Sequence, residues 1–314
     1  MTNSIKISAL LGLLIGLIGS VANSQTVSTP VVGFNKFNFS AGNTAFTATF
    51  TKPSVFSGVA TSKSSTWLTV STASFSSLGP VGGLPTHYVK ITSGPLNGFV
   101  FDVVSNTGTT ISVDGDLSTA GATPAFVVRP HVMVSDLFSS SSGLTDGLDT
   151  ITVFNPDGTS SILLRAAADS SSGWVNPIDE SVANAVIYPG QGFYITAATS
   201  GNFTSSGQVE TTQTVVPLYA GAINLVSRAS PSGSGVQLGS LGLGSGLSPA
   251  LDTVEFVSND GNLSSTAVYL WAGADGFVNA VDESPANQNV AGGEVMNVTV
   301  ANSTRWVAPA PYTP

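Results

Sequence analysis

Residues 173–181 read Gly-Trp-Val-Asn-Pro-Ile-Asp-Glu-Ser, and residues 276–284 read Gly-Phe-Val-Asn-Ala-Val-Asp-Glu-Ser. The same offset relates a longer stretch, because a gapless comparison of residues 147–201 with residues 250–304 finds 18 identities in 55 positions. Self-similarity at one fixed spacing is typical of a repeated structural unit. The sequence therefore indicates an internal duplication.

The composition indicates a folded, all-β protein. The chain has 314 residues, which is enough for two domains that each bury a core. Only 9% of the residues are charged and 42% are hydrophobic, whereas disordered chains are rich in charge and poor in apolar residues. Frequent Ser, Thr and Val, together with 34 Gly, are typical of extended strands joined by tight turns.

The charge balance and the scarcity of Cys and His exclude several functional classes. Eighteen acidic residues outnumber nine basic ones, which gives a formal net charge of −9. Without a basic run the chain has no electrostatic means of holding a phosphate backbone, so nucleic acid is not an expected partner. The chain has no Cys, which excludes disulfides and thiolate chemistry. His87 and His131 are its only histidines, too few for a His-rich zinc site.

The first 24 residues have the pattern of a secretory signal peptide. Lys6 supplies the positive charge, residues 7–19 the apolar core, and residues 22–24 (Ala-Asn-Ser) a cleavage site before Gln25. The apolar run is shorter than the ~20 residues that span a bilayer. We expect cleavage near Ser24-Gln25 and a mature chain without a transmembrane segment, secreted or held at the cell surface. An uncleaved anchor is the alternative.

Alternating apolar residues predict a β-hairpin at the start of the mature chain. Phe37 and Phe39, and then Phe46, Ala48 and Phe50, recur at every second position with polar residues between them. Period-2 alternation is typical of strands with one buried face. The hairpin is therefore predicted to contribute one face of its strands to a core.

The predicted domain boundaries follow from this hairpin. Residues 222–228 weakly resemble residues 45–52, so each repeat is predicted to begin with such a hairpin. The first copy then carries an additional run of short strands divided by Asn-Gly and Asp-Gly turns, which is typical of a small barrel or sandwich. The predicted fold is two homologous β-sandwich-like repeats, the first interrupted by a small β-barrel-like insert. The predicted segments are a signal peptide (1–24), a first repeat (25–56 and 129–210), an insert (57–128), a second repeat (211–306) and a C-terminal tail (307–314).

Two short motifs lie within the insert, 93–98 (Ser-Gly-Pro-Leu-Asn-Gly) and 105–107 (Ser-Asn-Thr), and two follow it, 130–131 (Pro-His) and 137–138 (Leu-Phe). Together with the repeat strands, they resemble an uncharacterised family of paralogous secreted proteins from verrucomicrobial-type bacteria. The Tyr-rich and Trp-Arg strand core of that family's repeats is present only in part, in Trp174, Tyr269 and Trp271. The resemblance covers most of the mature chain and implies a secreted bacterial protein of this architecture. It implies no activity, because the family has none assigned.

Acidic residues recur in register in the two repeats: Asp157, Asp179 and Glu180 correspond to Asp260, Asp282 and Glu283. Ca²⁺ prefers several carboxylate and carbonyl oxygens, so these six residues are candidate ligands of two equivalent calcium sites. Neither copy has the D-x-D-x-D-G spacing of a strong calcium loop. The alternative is that these acids stabilise turns by bonding nearby backbone N–H groups. No other cofactor is expected.

Trp174 and Phe277 occupy one position of the repeat, beside the acidic residues, and are the candidate ligand-binding residues. An exposed ring there would provide a platform for a sugar. The alternative, which the exchange of Trp for Phe favours, is that each ring anchors the core of its repeat. Neighbouring Asp and Glu residues make a poor glycosidase pair, because adjacent side chains of an extended segment point in different directions. The sequence also lacks the G-x-S-x-G motif of many serine hydrolases.

These patterns favour a secreted, non-enzymatic structural or cell-surface protein, a component of a coat, matrix or filament. Export, low charge, strands rich in Ser, Thr and Gly, and duplication all support this interpretation. Uncovered edge strands would allow self-association or binding to cell-surface polymers. The alternative is a carbohydrate-binding or adhesion module, which would depend on calcium if the acidic residues bind that ion. A secreted hydrolase is the third hypothesis and requires carboxylates that converge in a cleft, for example where the insert meets the repeats.

Overall fold

A computed structural model of the chain describes residues 30–138, 143–167, 171–228, 235–286 and 288–311. Apart from Pro30, these residues belong to one compact unit, Val31–Pro314. The predicted signal peptide and its cleavage site lie outside the described residues. None of the helices found within the described ranges has the length and apolar character needed to cross a membrane.

The fold is all-β, as the composition predicts, and its named strands pair in an antiparallel manner. One short α-helix, α1 (Val134–Leu137), and three 3₁₀ helices (Leu238–Leu241, Leu243–Gly246 and Gly273–Asp275) interrupt the described strands. The strands in chain order are β1 (Val32–Phe39), β2 (Gly42–Thr47), β3 (Phe56–Val59), β4 (Ser62–Lys63), β5 (Trp67–Thr69), β6 (His87–Ile91), β7 (Val100–Asn106), β8 (Thr110–Val113), β9 (Ala125–Pro130), β10 (Val132–Met133), β11 (Thr150–Phe154), β12 (Ser160–Arg165), β13 (Trp174–Val175), β14 (Val186–Ile187), β15 (Gly192–Ala197), β16 (Gly201–Gln208), β17 (Thr214–Leu218), β18 (Leu225–Val226), β19 (Val236–Gln237), β20 (Thr253–Val257), β21 (Ser265–Trp271), β22 (Phe277–Asn279), β23 (Asn289–Val290), β24 (Met296–Thr299) and β25 (Thr304–Ala308).

The first β-sandwich packs a five-stranded sheet against a long strand pair. The sheet has the order β13-β12-β11-β15-β2, and the pair consists of β1 and β16. The predicted β-hairpin is therefore wrong, because β1 and β2 lie in different layers and pair with β16 and β15 instead of with each other. The facing sides of the two layers bury an aromatic core. In this core the Phe203 ring stacks on Phe37 at 5.1 Å and meets Phe46 edge-on at 5.1 Å. Since side chains alternate between the two faces of a strand, one apolar face of each layer supplies this core.

The second β-sandwich has the same construction. Its sheet has the order β18-β24-β20-β21-β22, and β17 pairs with β25 to form the other layer. Trp306 of β25 is fully buried in this core beside Phe256 and Met296. The Trp306 indole N–H donates a hydrogen bond to the Leu241 carbonyl at 2.8 Å, so the polar edge of the buried ring is satisfied.

The nine strands of the second sandwich correspond one by one to strands of the first. Strands β17–β25 repeat the order and the pairings of β1, β2 and β10–β16, including the small pair β10 with β14, which corresponds to β19 with β23. The offset of 103 residues holds for the turn that follows β13 and β22. There Glu180 and Glu283 share the same positive φ of 57°.

One strand departs from the gapless comparison. Thr150 lies opposite Leu164, whereas its counterpart Thr253 lies opposite Leu270, which is three residues further along than the fixed offset gives. The register shifts between Phe256 and Val257, where the second repeat has a β-bulge. This shift accounts for one of the three residues, and the hairpin loop accounts for the other two, because it spans residues 258–264 in the second repeat and 155–159 in the first. The connection that follows is shorter by the same number of residues.

Strands β3–β9 form the insert, which lies between β2 and β10. They make a seven-stranded sheet in the order β3-β9-β6-β7-β8-β5-β4. Both edge strands belong to one continuous segment, residues 56–63, so the sheet curls round on itself in a barrel-like manner. Leu68, Val89 and Ile111 are fully buried in its interior. In the second repeat the corresponding position is the connection from β18 to β19, which is nine residues long and contains no strand among the residues that the structure describes there.

Candidate functional site

A cluster of buried charges joins the insert to the segment between β16 and β17. Lys90 on β6 is 0% exposed and Glu210 is 5% exposed. The Lys90 Nζ lies 3.2 Å from the Glu210 Oε2 and donates hydrogen bonds to the Thr214 Oγ1 at 3.0 Å and to the Thr212 carbonyl at 3.3 Å. A buried ammonium is tolerated only when it is paired and hydrogen-bonded, so these contacts fix how the insert packs here.

Arg129 on β9 adds a second cation to this cluster. It donates hydrogen bonds to the Gln208 Oε1 at 2.6 Å and to the Lys52 carbonyl at 2.8 Å. Burial lowers the pKa of Lys90 to about 8, since the attraction of Glu210 offsets it only in part and Arg129 repels a second positive charge. Burial alone would raise the pKa of Glu210, but Lys90 and Arg129 outweigh it and hold that pKa below its usual value. The surroundings therefore favour the ionised form of Glu210 and disfavour the charged form of Lys90.

Asp102 on β7 is the centre of a second polar cluster. Its Oδ1 lies 2.8 Å from the His131 Nε2, and its Oδ2 accepts a hydrogen bond from the Tyr188 hydroxyl at 2.6 Å. Because a carboxylate only accepts, we assign the proton of this contact to the His131 Nε2. The Asp102 backbone N–H donates to the Asp114 Oδ1 at 2.8 Å. Burial, and then the charge of Asp102, raise the pKa of Asp114.

Three adjoining cavities, which share lining residues and which we call the junction trough, lie along the contact between the insert and the two repeats. The deep cavity has a volume of about 90 Å³ and is lined by Asp102, Asp114 and Tyr188 among others. The middle cavity, of about 390 Å³, shares four lining residues with it: Val100, Pro156, Val215 and Pro217. The outer cavity, of about 560 Å³, shares three residues with the middle one: Pro217, Tyr219 and Arg305.

The deep cavity brings together two carboxylates in different environments, which is one condition of an acid–base site. Asp102 is held by His131 and Tyr188, whereas Asp114 has a raised pKa. The cavity volume of about 90 Å³ is well below the ~300 Å³ at which ligand pockets begin. It accommodates a few water molecules and leaves no room for a sugar ring between the carboxylates. This geometry favours a structural role for the pair over hydrolysis.

The two aromatic residues selected from the sequence are buried. Trp174 is 0% exposed and packs against Phe138 at a centroid distance of 6.1 Å, with the Arg165 guanidinium 5.4 Å from its ring centroid. Phe277 is 5% exposed and lies against Trp271 at 4.9 Å. Neither ring offers an open face to a sugar, so the structure favours the alternative that each anchors its own core.

The repeated acidic residues lie in turns. Asp179 accepts hydrogen bonds from the Ser181 hydroxyl at 2.7 Å and backbone N–H at 3.1 Å, and Asp282 accepts the same pair from Ser284 at 2.7 and 3.0 Å. These hydrogen bonds lower the pKa of both carboxyl groups, and the bond from the serine hydroxyl has the larger effect. Glu180 and Glu283 follow directly, with the positive φ that such turns require.

The Asp-Gly turns have the same local role. Asp157 accepts hydrogen bonds from the Thr159 hydroxyl at 2.6 Å and N–H at 2.9 Å, and Asp260 accepts from the Asn262 N–H at 3.0 Å. Within the ranges that the structure describes, no three His, Asp or Glu side chains are grouped as a metal site. The six candidate calcium ligands are therefore not grouped in threes within those ranges. Their observed contacts are the local hydrogen bonds expected if the acids stabilise turns.

Lys90, Glu210, Asp102 and Tyr188 belong to none of the sequence motifs, and His131 stands out in the sequence only as one of two histidines and as part of the Pro-His motif at 130–131. One signal was present for Lys90. In a chain with only nine basic residues, it occupies an apolar strand between Val89 and Ile91. A charge placed inside such a strand points to a buried partner. The partner itself is 120 residues away, so local patterns do not identify it.

No known family model, curated protein or solved structure matches this chain. The resemblance to secreted verrucomicrobial-type proteins stays a prediction. Functional inference therefore rests on the residues and on their geometry.

Proposed function

We propose that this chain is an exported, non-enzymatic structural or cell-surface protein that associates with copies of itself through strand β1. The proposal of export rests on the signal peptide predicted over residues 1–24. Self-association rests on one contrast between the two repeats, in which the same strand position is open in the first sandwich and covered in the second.

Strand β1 is a long, exposed edge. It has eight residues and, within the described part of the chain, pairs with β16 alone. Its outward face carries Val32 and Phe34, which are 69% and 74% exposed. Soluble proteins usually protect such edges with charge, proline or covering segments, because unpaired backbone groups recruit another strand. Lys36 is the single charge on this outward face.

The corresponding strand of the second sandwich, β17, is protected. Its Val215 backbone N–H donates to the Gly98 carbonyl of the insert at 2.9 Å, and Pro217 removes another donor from the strand. Four of its five residues are buried. One strand position thus has two different surroundings, and only the exposed version offers backbone groups and apolar side chains to a second copy.

The test is sedimentation velocity over a concentration series, with electron microscopy, on residues 25–314. We expect concentration-dependent association or ordered assemblies, and we expect the double substitution Val32→Lys, Phe34→Lys to abolish them. Ile178→Lys is the matched control, because Ile178 is 91% exposed but lies in a turn. A wild-type monomer throughout the series contradicts the proposal, as does equal loss of association in the control. Since the repeated acids serve turns, calcium and a chelator should give the same result.

A carbohydrate-binding function is the second candidate. Because Trp174 and Phe277 are buried, this function needs other aromatic residues. The middle cavity of the junction trough is lined by Phe99, Phe101 and Tyr219, and this group of aromatic side chains favours glycan binding as the second candidate.

A further inference from the structure

The middle cavity of the junction trough is walled by aromatic rings held in fixed positions. Phe99 and Phe101 are half-buried, and their ring planes are within 19° of parallel at a centroid distance of 6.1 Å. A Cβ at Gly115 would overlap the Phe101 ring, so this glycine permits the ring to lie where it does. The rings are therefore placed before any ligand arrives, which lowers the entropic cost of binding.

Tyr219 forms the opposite part of this wall. Its hydroxyl donates to the Pro156 carbonyl, and its ring lies over Gly158, where a Cβ would come within 3.2 Å of the Tyr219 Cγ. Gly158 has a φ of 83°, a conformation that side-chain-bearing residues rarely adopt. The Asp-Gly turn of the first repeat thus positions an aromatic residue of the second repeat beside the trough.

The charges along the trough favour a ligand without negative charge. Its lining includes the carboxyl groups of Asp102, Asp114 and Asp116. The cation Arg305 lies over the Phe99 ring at 5.0 Å, and the chain as a whole carries −9. An anionic polymer would meet this acidic lining at a cost in electrostatic free energy. Sugar hydroxyls, in contrast, donate well to carboxylates, and the apolar faces of sugar rings pack on aromatic rings.

The trough is also poorly suited to an extended peptide. A peptide that adds as a strand needs free backbone donors on the receiving strand. Along β17, the Val215 N–H is already bonded to Gly98, and Pro217 has no N–H. The middle and outer cavities, of about 390 and 560 Å³, nevertheless adjoin each other at Pro217, Tyr219 and Arg305, and together they fit several similar units better than a single small molecule.

We propose that the junction trough is a binding site for a neutral glycan chain, with Phe101 and Tyr219 as stacking surfaces beside the Phe99 ring that Arg305 covers. Asp116 and Thr119 lie on its rim as hydrogen-bonding groups. This inference rests on the second candidate function and is independent of self-association through β1. For a cell-surface protein, such a site would supply attachment to a polysaccharide layer.

The test is affinity electrophoresis of residues 25–314 in gels containing laminarin, glucomannan or hydroxyethylcellulose as neutral probes, with alginate as the anionic probe. We expect retardation by at least one neutral probe and none by alginate. Thr119→Trp should fill the trough at its exposed rim and weaken that binding by about tenfold or more, the equivalent of losing one good aromatic contact. Thr123→Trp is the matched control, because Thr123 is exposed in the same insert and does not line the trough.

Three outcomes overturn the inference: no retardation by any neutral probe, retardation by alginate as strong as that by the neutral probes, or unchanged or tighter binding in Thr119→Trp. Circular dichroism of both variants establishes that they are folded, and Tyr219→Ala, which removes a stacking ring from the trough lining, repeats the test. Sedimentation of the same samples reports self-association separately. Failure of glycan binding therefore leaves the result for β1 standing, and the converse also holds.

Discussion

Lys90 is a fully buried lysine in an apolar strand, and its surroundings make it sensitive to substitution. Replacing it by Met leaves Glu210 buried with only the more distant Arg129 to balance its charge. Removing one partner of a buried ion pair costs about 3 kcal/mol or more of folding free energy. We expect this loss in urea denaturation of Lys90→Met. The double variant Lys90→Met, Glu210→Gln should recover most of it, because no unpaired charge remains.

The exposed residue Lys36 provides the control for this experiment, and Lys36→Gln should change the free energy of unfolding by about 0.5 kcal/mol or less. If Lys90→Met is as stable as wild type, the ion pair does not hold the insert. A double variant that is no better than the single one would show that packing at Lys90, and not charge, accounts for the loss.

The lowered pKa of Lys90 also predicts how the free energy of unfolding changes with pH. Below pH 8 both the folded and the unfolded chain carry the proton, so Lys90 contributes no pH dependence there. Between about pH 8 and the ordinary value of 10.5, the unfolded chain binds more protons, and stability rises with pH. Burial raises the pKa of Tyr88 and Tyr188, which reverses the trend above about pH 10. Urea denaturation at a series of pH values should show the rise in wild type and not in Lys90→Met.

At the scale of single elements, a buried aspartate fixes the same loop in both repeats. Asp149 accepts hydrogen bonds from the Thr145 and Ala198 backbone N–H groups, each at 2.7 Å. Asp252 accepts from Ser248 and Ala301, each also at 2.7 Å. Both aspartates are 0% exposed. Asp149 therefore joins the loop before β11 to the segment that follows β15. Asp252 in the same way joins the loop before β20 to the segment that follows β24.

Substitution of either aspartate by Asn should destabilise the protein by about 2 kcal/mol, because an amide nitrogen then faces one of the two N–H groups. The two losses should add, since the sites share no partner. Asp157→Asn is the control: its carboxyl group is exposed in a turn and should contribute about 0.5 kcal/mol or less. Chemical denaturation of the wild type, Asp149→Asn, Asp252→Asn, their double variant and Asp157→Asn measures these differences. A loss at one site and none at the other would contradict the equivalence of the two loops.

The turns and the duplication were predictable from sequence because their causes are local. Asp179 bonds to Ser181 and Asp282 to Ser284, two residues away in each case, so the motif carries its own structure. Low charge and period-2 patterning likewise predicted the all-β class. The three-residue displacement of β21 was not predictable, because it combines a one-residue register shift near Phe256 with a hairpin loop that is two residues longer, and neither is marked by a distinctive residue in the sequence.

The junction trough lay beyond sequence reasoning for a different reason. Its walls combine Phe99 of the insert with Pro156 of the first repeat and Arg305 of the second. Each of these residues is ordinary within its own strand or turn, and only the packing of three segments places them together. Trp174, which the sequence singled out as a candidate ligand-binding residue, instead fills the core of the first sandwich.

At the scale of the whole unit, the two sandwiches contact each other directly. The Asn259 side chain accepts from the Ala45 N–H at 3.0 Å and donates to the Ala45 carbonyl at 3.1 Å, which satisfies the backbone of edge strand β2. A small apolar cluster accompanies this contact: Ala45, Phe154, Leu225 and Val295. The sandwiches therefore share buried surface in addition to their covalent connection.

The insert is joined to the second sandwich by further contacts. The Val215 N–H donates to the Gly98 carbonyl at 2.9 Å, and the Gln213 side chain donates to the Asn97 carbonyl at 2.9 Å. The Lys90–Glu210 pair lies in the same region. Each of the three parts thus depends on contacts with the others, and separate unfolding of the insert would expose Lys90 and Glu210 without their partners.

We therefore expect residues 25–314 to unfold in one cooperative transition, even though the insert predicted over residues 57–128 has its own core. In calorimetry, the calorimetric and van't Hoff enthalpies should agree, and hydrogen exchange near the midpoint should expose insert and repeat peptides together. Lys90→Met should weaken this coupling, so that exchange in the insert precedes exchange in the repeats. Two resolved transitions in the wild type would instead establish the insert as an independent domain, because a unit that unfolds alone draws its stability from its own core.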